Sequence, residues 1–286
     1  MMYEGGCVME RCKFSFKSFL KVFSFCVVAF CLLTANGIRV NAQTIEEQDN
    51  NDTIGEAQYI SANRETAAGC VNGTYSGQYV VNGYTSNTDD DWYKVMLSSG
   101  TQYITCNGAS YSFEVYNSSE QIVYSNTYIN SGTGMKAYAF TASASDFYYV
   151  HVLGVSSTSS NYKLLVGGPT YSVSNYSTSL GSFSLSGSDV TKTVNTGSVS
   201  GIPTGAIAYS LSITNVASTS TNGVTVVNSG TTLSLPSSNL SKSGLVSYNM
   251  RMSNSWRFTF KYKKNVSINP RITIYYVYPV TSGLVQ

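Results

Sequence analysis

Charge is scarce in this chain: Asp, Glu, Lys and Arg together make up 11% of its 286 residues, and His151 is the single histidine. One histidine excludes a zinc site built on a His pair and leaves any Ser/His/Asp triad dependent on His151 alone, which sits in the middle of a strand-like stretch. A Gly-x-Ser-x-Gly nucleophile elbow is absent, as is a glycine-rich phosphate loop opening a helix. The acids that do cluster are better matched to cation binding than to the paired carboxylates of a glycosidase. The expectation is a protein without catalytic activity.

Cysteine is scarcer than its total of six implies. Cys7, Cys12, Cys26 and Cys31 fall in a leader-like start, where Arg11, Lys13, Lys17 and Lys21 precede an apolar run from Phe19 to Ala35 and a small-residue exit at Val40-Asn41-Ala42. That order predicts a secretory signal peptide over residues 1–42, cleaved before Gln43, rather than a retained membrane anchor, because the apolar run is short for a span. No other stretch is apolar enough to cross a bilayer as a helix, so the processed chain is expected outside the cell with no membrane span. Its remaining pair, Cys70 and Cys106, is expected to form a disulfide, with two separate buried thiols as the alternative.

A sustained helical period is missing outside the leader, which excludes helix bundles and α/β folds. What is present is Tyr, Val, Thr and Ser in alternation, punctuated by Asn72-Gly73, Asn82-Gly83, Asn107-Gly108 and Asn222-Gly223. We therefore predict an all-β chain of two β-sandwich domains in tandem, residues 43–167 and 168–286, with many short strands in each. Gly69–Thr74 and Val246–Met252 are among the expected strands, and Asp52–Ala57 is the one expected helical turn. Charge divides at the same place. Residues 43–167 carry twelve acidic against four basic side chains, net −8; residues 168–286 carry Asp189 alone against eight basic side chains, net +7.

Two acidic clusters stand out in so sparsely charged a chain: Glu46-Glu47-Gln48-Asp49-Asn50-Asn51-Asp52-Thr53 and Asp89-Asp90-Asp91-Trp92-Tyr93. Carboxylates gathered together repel unless they stay solvated or share a cation, and a set of oxygen donors alone suits calcium. Two readings stand side by side, halves of one calcium site or a solvated linker and a polar turn.

The same residues carry a resemblance. Glu47-Gln48-Asp49-Asn50-Asn51-Asp52-Thr53, Asp91-Trp92-Tyr93-Lys94-Val95, Gly100-Thr101-Gln102-Tyr103-Ile104, Phe147 to Val152 and Asn161 to Val166 together resemble the bacterial pre-peptidase C-terminal domain over about residues 46–167. That family includes the collagen-binding domains of secreted collagenases. The resemblance implies a jelly-roll-like, non-catalytic sandwich with calcium between an amino-terminal linker and a nearby loop. Carried over by position, it places Glu47, Asp49, Asn51 and Asp52 on the linker ligands and Asp91 on the loop carboxylate. The second loop carboxylate falls on Thr88, leaving Asp89 to substitute from the next position. Where the collagen-binding branch has contact tyrosines, this chain has Leu153 and Val155, so collagen does not follow as the ligand.

Residues 168–286 resemble no family. Their most pointed segment, Trp256 to Lys264, would put Trp256, Phe258, Phe260 and Tyr262 on one strand face and Arg257, Thr259, Lys261 and Lys263 on the other. With Lys264, the cations Arg257, Lys261 and Lys263 form a candidate surface for anionic polymers, against the alternatives of an ordinary solvated face or one docked on the acidic first domain. The functional expectation is a secreted, calcium-stabilised binding or adhesion module for an extracellular polymer, whether matrix protein, glycan or wall polymer. The other reading is an accessory subunit of a separately encoded exported protease.

Overall fold

Alternation of inward and outward side chains, clearest along Asp90–Leu97, Tyr111–Tyr116 and Asp146–Gly154, builds the two sheets of the first sandwich in the computed structural model, which describes residues 42–132, 134–281 and 283–284. One sheet has six strands in the order β1 (Gln43–Glu46), β3 (Tyr79–Thr85), β10 (Ser160–Gly167), β5 (Gly100–Gly108), β8 (Lys136–Ala142) and β21 (Gly283–Leu284). The facing sheet has five, β2 (Gln58–Ile60), β4 (Asp90–Leu97), β9 (Asp146–Gly154), β6 (Tyr111–Tyr116) and β7 (Ile122–Tyr128). Tyr93, Val95 and Leu97 of β4, Val150 and Val152 of β9, and Phe113 and Val115 of β6 point between the sheets into one hydrophobic cluster. Aromatic rings dominate that cluster, and each fully buried ring removes on the order of 150–250 Å² from water.

The second sandwich pairs a sheet of β11 (Thr170–Ser179), β20 (Arg271–Val280), β14 (Ile207–Thr214) and β17 (Ser241–Ser243) with one of β13 (Val190–Asn195), β18 (Ser255–Tyr262), β15 (Thr221–Asn228) and β16 (Thr231–Leu235). A two-stranded ribbon of β12 (Phe183–Leu185) and β19 (Val266–Ile268) completes it. Trp256, Phe258 and Phe260 are fully buried at its centre, as the alternation of β18 requires. The fold is thus all-β, and the described residues belong to one compact unit with two hydrophobic clusters.

The link between the sandwiches is fastened rather than loose. Asn63 pairs with Gly167 in a parallel bridge, and its side-chain amide donates to the carbonyls of Gly168 at 2.8 Å and Pro169 at 3.2 Å. Gly167 is required there: its φ is +130°, and a Cβ would stand 2.8 Å from the Asn63 backbone nitrogen. Next to it the buried Glu65 carboxylate accepts from Gln78 Nε2 at 3.1 Å and from the backbone N–H of Tyr171 at 3.3 Å, while its second oxygen has no partner. Burial raises the Glu65 pKa, offset in part by these two hydrogen bonds. The folded state therefore holds this proton more tightly than the unfolded chain does. Its contribution to stability is complete below the ordinary glutamate range and is lost as pH rises through the raised value. Glu65→Gln is expected to flatten the fall of the unfolding midpoint as pH rises above the ordinary glutamate range; an unchanged slope in thermal unfolding would contradict it.

Local structure departs from expectation at four places. Gly69–Thr74 is not a strand: Ala67–Val71 forms a short helix, α1, because Thr66 caps the Gly69 N–H at 3.0 Å, two alanines follow, and Gly73 ends the turn at φ +63°. Val246–Met252 is not a strand either. Gly244 and Asn249, both left-handed, bracket a 3-10 turn over Leu245–Tyr248 that drops Leu245, Met250 and Met252 into the core. The long strand β11 carries too much Ser, Thr and Asn for an apolar alternation, yet it pairs with β20 from Thr170↔Val280 to Ser179↔Arg271. The expected Cys70–Cys106 disulfide is not formed. Both thiols are free, Cys70 on α1 against the Tyr171 carbonyl at 3.6 Å and Cys106 buried in the first core, where burial pushes its pKa up to about 12. The expected helical turn does form, as a 3-10 turn over Ile54–Glu56, although Thr53 makes no side-chain cap. The residues before Ala42 expected to form a signal peptide, with Cys7, Cys12, Cys26 and Cys31, lie outside the described residues. Among the described residues no helix is long and apolar enough to cross a membrane.

Candidate functional site

Period-2 geometry sends two consecutive carboxylates of β4 to opposite sides of the five-stranded sheet. Asp91 turns inward and is 1% exposed; Asp90 turns outward beside His151. Each belongs to a different cluster.

On the inner side, the two acidic segments come together. The backbone N–H of Trp92 donates to the Asn51 carbonyl at 2.8 Å, and the buried Asn51 amide returns a bond to the Trp92 carbonyl at 3.3 Å, tying the linker to β4. Glu47 is anchored by the Tyr84 N–H at 2.6 Å and faces Asp91. Asp91 accepts from the Tyr162 hydroxyl at 3.0 Å, and Tyr162 in turn meets the Tyr93 hydroxyl. Its other oxygen, Oδ1, is buried without a partner. Burial, then Glu47, then Asp89 hold the Asp91 carboxyl well above the usual carboxylate range, against the lowering effect of Tyr162. Asp89 is raised too, by burial and by Glu47, Asp52 and Asp90. Glu47, Asn51, Asp52, Asp89 and Asp91 are thus neighbours, whereas Asp49 stands exposed on the adjacent turn. As placed, no three His, Cys, Asp or Glu side chains among the described residues are close enough to hold a metal ion by themselves. A hard cation beside the unpartnered Asp91 oxygen would need amide, carbonyl and water oxygens to complete its set.

On the outer side, the sheet presents a half-exposed aromatic face that motif reading overlooked. Trp92 lies flat on His151, with ring centroids 4.4 Å apart and planes at 10°, and Tyr116 leans on Trp92 at 5.2 Å. His151 Nε2 meets Asp90 Oδ1 at 2.6 Å, and its Nδ1 lies 3.7 Å from Glu114, which also accepts from the Tyr116 hydroxyl. Lys94 sits over the rings of Phe147 at 4.6 Å and Tyr149 at 5.4 Å, and Tyr59, 62% exposed, abuts Phe147 at the edge. The rings are pre-oriented by stacking and cation–π contacts, which lowers the ordering cost of a ligand. The alternation in Trp92-Tyr93-Lys94 and Phe147-Tyr148-Tyr149-Val150-His151 is the signal that could have found this face. Tyr111, Tyr128 and Tyr138, by contrast, are buried in the core.

The cationic segment is less continuous than its spacing implies. Arg257 and Lys261 are on the outer face of β18, but the strand ends at Tyr262, so Lys263 and Lys264 follow in the loop. Asp189 pairs with Lys261 at 2.9 Å and binds the Tyr262 N–H, and Lys263 reaches the Ser218 carbonyl at 3.5 Å.

No family model and no curated protein matches the chain. Among solved structures, a protein from Eubacterium rectale described as secreted is similar over 85% of this chain and 90% of its own, at 11% identity and a TM-score of 0.50. The pre-peptidase C-terminal domain of a Bacillus anthracis collagenase covers 38% of this chain and 93% of its own at 15% identity, with a TM-score of 0.29. PliG from Aeromonas hydrophila, a periplasmic inhibitor of g-type lysozyme, covers 38% and 98% at 13% identity, with a TM-score of 0.25. At these identities the likeness concerns the fold alone, and only the first is close enough to bear on it: the chain shares its β-sandwich architecture with a protein described as secreted.

Proposed function

We propose that this chain is a secreted, non-catalytic binding module whose first sandwich, of pre-peptidase C-terminal type, is stabilised by calcium and holds an extracellular polymer on its aromatic sheet face. The observation that carries the reading is that face: Trp92, His151, Tyr116, Tyr149 and Phe147, stacked and half-exposed across neighbouring strands. Open aromatic surfaces of this kind supply contact area at small entropic cost. Calcium fits the mixed oxygen donors Glu47, Asn51, Asp52, Asp89 and Asp91, relieving the repulsion gathered around the buried Asp91 oxygen; Asp49 joins through its turn or not at all. A binding role also accords with His151, whose partners are two carboxylates and a tryptophan rather than a serine.

The test is retention of the protein on immobilised matrix protein, neutral polysaccharide and anionic wall polymer. Retention on at least one resin is expected, weakened about tenfold or more by Trp92→Ala with Tyr149→Ala. Elution by raised salt with the aromatic variant unaffected would move the contact to Arg257, Lys261, Lys263 and Lys264. Failure on every resin, with one exported protease recovered stoichiometrically from culture supernatant, would replace adhesion by the accessory-subunit reading.

A further inference from the structure

A recess lies where the two sandwiches meet. Helix α1 of the first sandwich rests on β11 and β20 of the second, covering part of that sheet's outer face. Beside it opens a cleft of about 630 Å³. Ala68, Val71 and Asn72 form one wall, Tyr209 and Ser210 of β14 the floor, and the segment from Ser243 to Ser247 the opposite wall. Tyr209 is extended by Tyr275 of β20, with ring centroids 6.1 Å apart and planes at 45°, and Tyr275 is 37% exposed.

The walls are held from both sides. Thr66 caps α1, the Cys70 thiol meets the Tyr171 carbonyl, and the opposite wall turns through left-handed Gly244. The cleft is therefore built into the junction and needs no rearrangement to form.

Its chemistry is selective. No charged side chain lines it, and the one acid of the second half, Asp189, is engaged with Lys261. A charged ligand would be desolvated there without a counter-charge. A wholly apolar ligand would strip water from Asn72, Ser210, Ser243 and Ser247 and give nothing back. A pyranose ring satisfies both demands, since its C–H face stacks on tyrosine while its hydroxyl edge bonds serine and asparagine. We infer that this cleft is a binding site for a neutral oligosaccharide, with room for about two or three sugar units. It shares no residue with the aromatic face of the five-stranded sheet and stands independently of the function proposed for that face.

The experiment titrates the full chain, by calorimetry and by chemical-shift perturbation, with cellotriose, maltotriose, chitotriose and mannotriose, and with a uronic-acid trisaccharide as comparator. The expected result is binding of at least one neutral trisaccharide at about 1 mM or tighter, insensitive to salt. Tyr209→Ala should weaken it about tenfold, as should Ser247→Trp, a change at an exposed rim position that fills the mouth without touching the core. Trp92→Ala should leave it unchanged, which separates this site from the sheet face. Binding of none of the neutral sugars, binding of the acidic one alone, or neutral binding undiminished in Ser247→Trp would overturn the inference.

Discussion

Calcium is expected to raise the unfolding midpoint of the wild-type protein by roughly 5–10 °C at about a hundredfold excess over its dissociation constant, the shift that about 2.7 kcal/mol of mass-action stabilisation gives a chain of this size. The more telling outcome is in the Asp91→Asn variant, where the order of stabilities should cross. In chelator, the variant should be as stable as wild type or more so. It removes a carboxylate buried beside Glu47 and Asp89 with one oxygen unpartnered, and puts a neutral amide in its place. In calcium, the variant should lose most of the shift, because the carboxylate proposed as the central donor has lost its charge. Thermal unfolding of both proteins in both buffers decides the matter. A midpoint indifferent to calcium in wild type would return the acidic segments to ordinary surface, and an undiminished response in Asp91→Asn would place the ion elsewhere.

Phe258→Ala should cost about 3–5 kcal/mol, since the ring is fully buried between the sheets of the second sandwich and its removal leaves a cavity. The midpoint should fall by roughly 10 °C. The whole chain should still melt in one transition. Ala137 of β8 lies in the second hydrophobic cluster, Asn63 holds the connection at Gly168 and Pro169, and α1 rests on β11 and β20, so neither sandwich can loosen without exposing surface of the other. Calorimetry checks this. A separate transition that stays at the wild-type temperature and still moves with calcium would show that the first sandwich folds alone.

The legible parts of this protein were those written in short-range pattern. Alternation set the inward residues Trp256, Phe258 and Phe260 of β18 correctly, because strand geometry assigns a face to each residue whatever the partner. Patterning failed where it was weak or where a local signal outranked it. Strand β11 lacks an apolar rhythm and owes its ten residues to the register of β20, while the stretch from Ala67 had strand-like Cys, Val and Thr but was captured by the Thr66 cap. The disulfide was inferred from a count of two, and a count carries no distances.

By itself, then, the sequence determined an all-β sandwich protein, a sparse charge divided by sign between its halves, and two acidic segments that call for a common explanation. The tertiary structure alone decided that those segments meet around a buried Asp91, that Asp90 one residue earlier turns outward to His151, and that Trp92, Tyr116 and Tyr149 from three strands make one surface. It also decided that a helix from the first sandwich walls a cleft floored by the second. The physical reason is the same in each case. Residue order dictates which way a side chain points, but which side chains share a space depends on strand pairings between residues dozens of positions apart, and only the folded sheets bring those together.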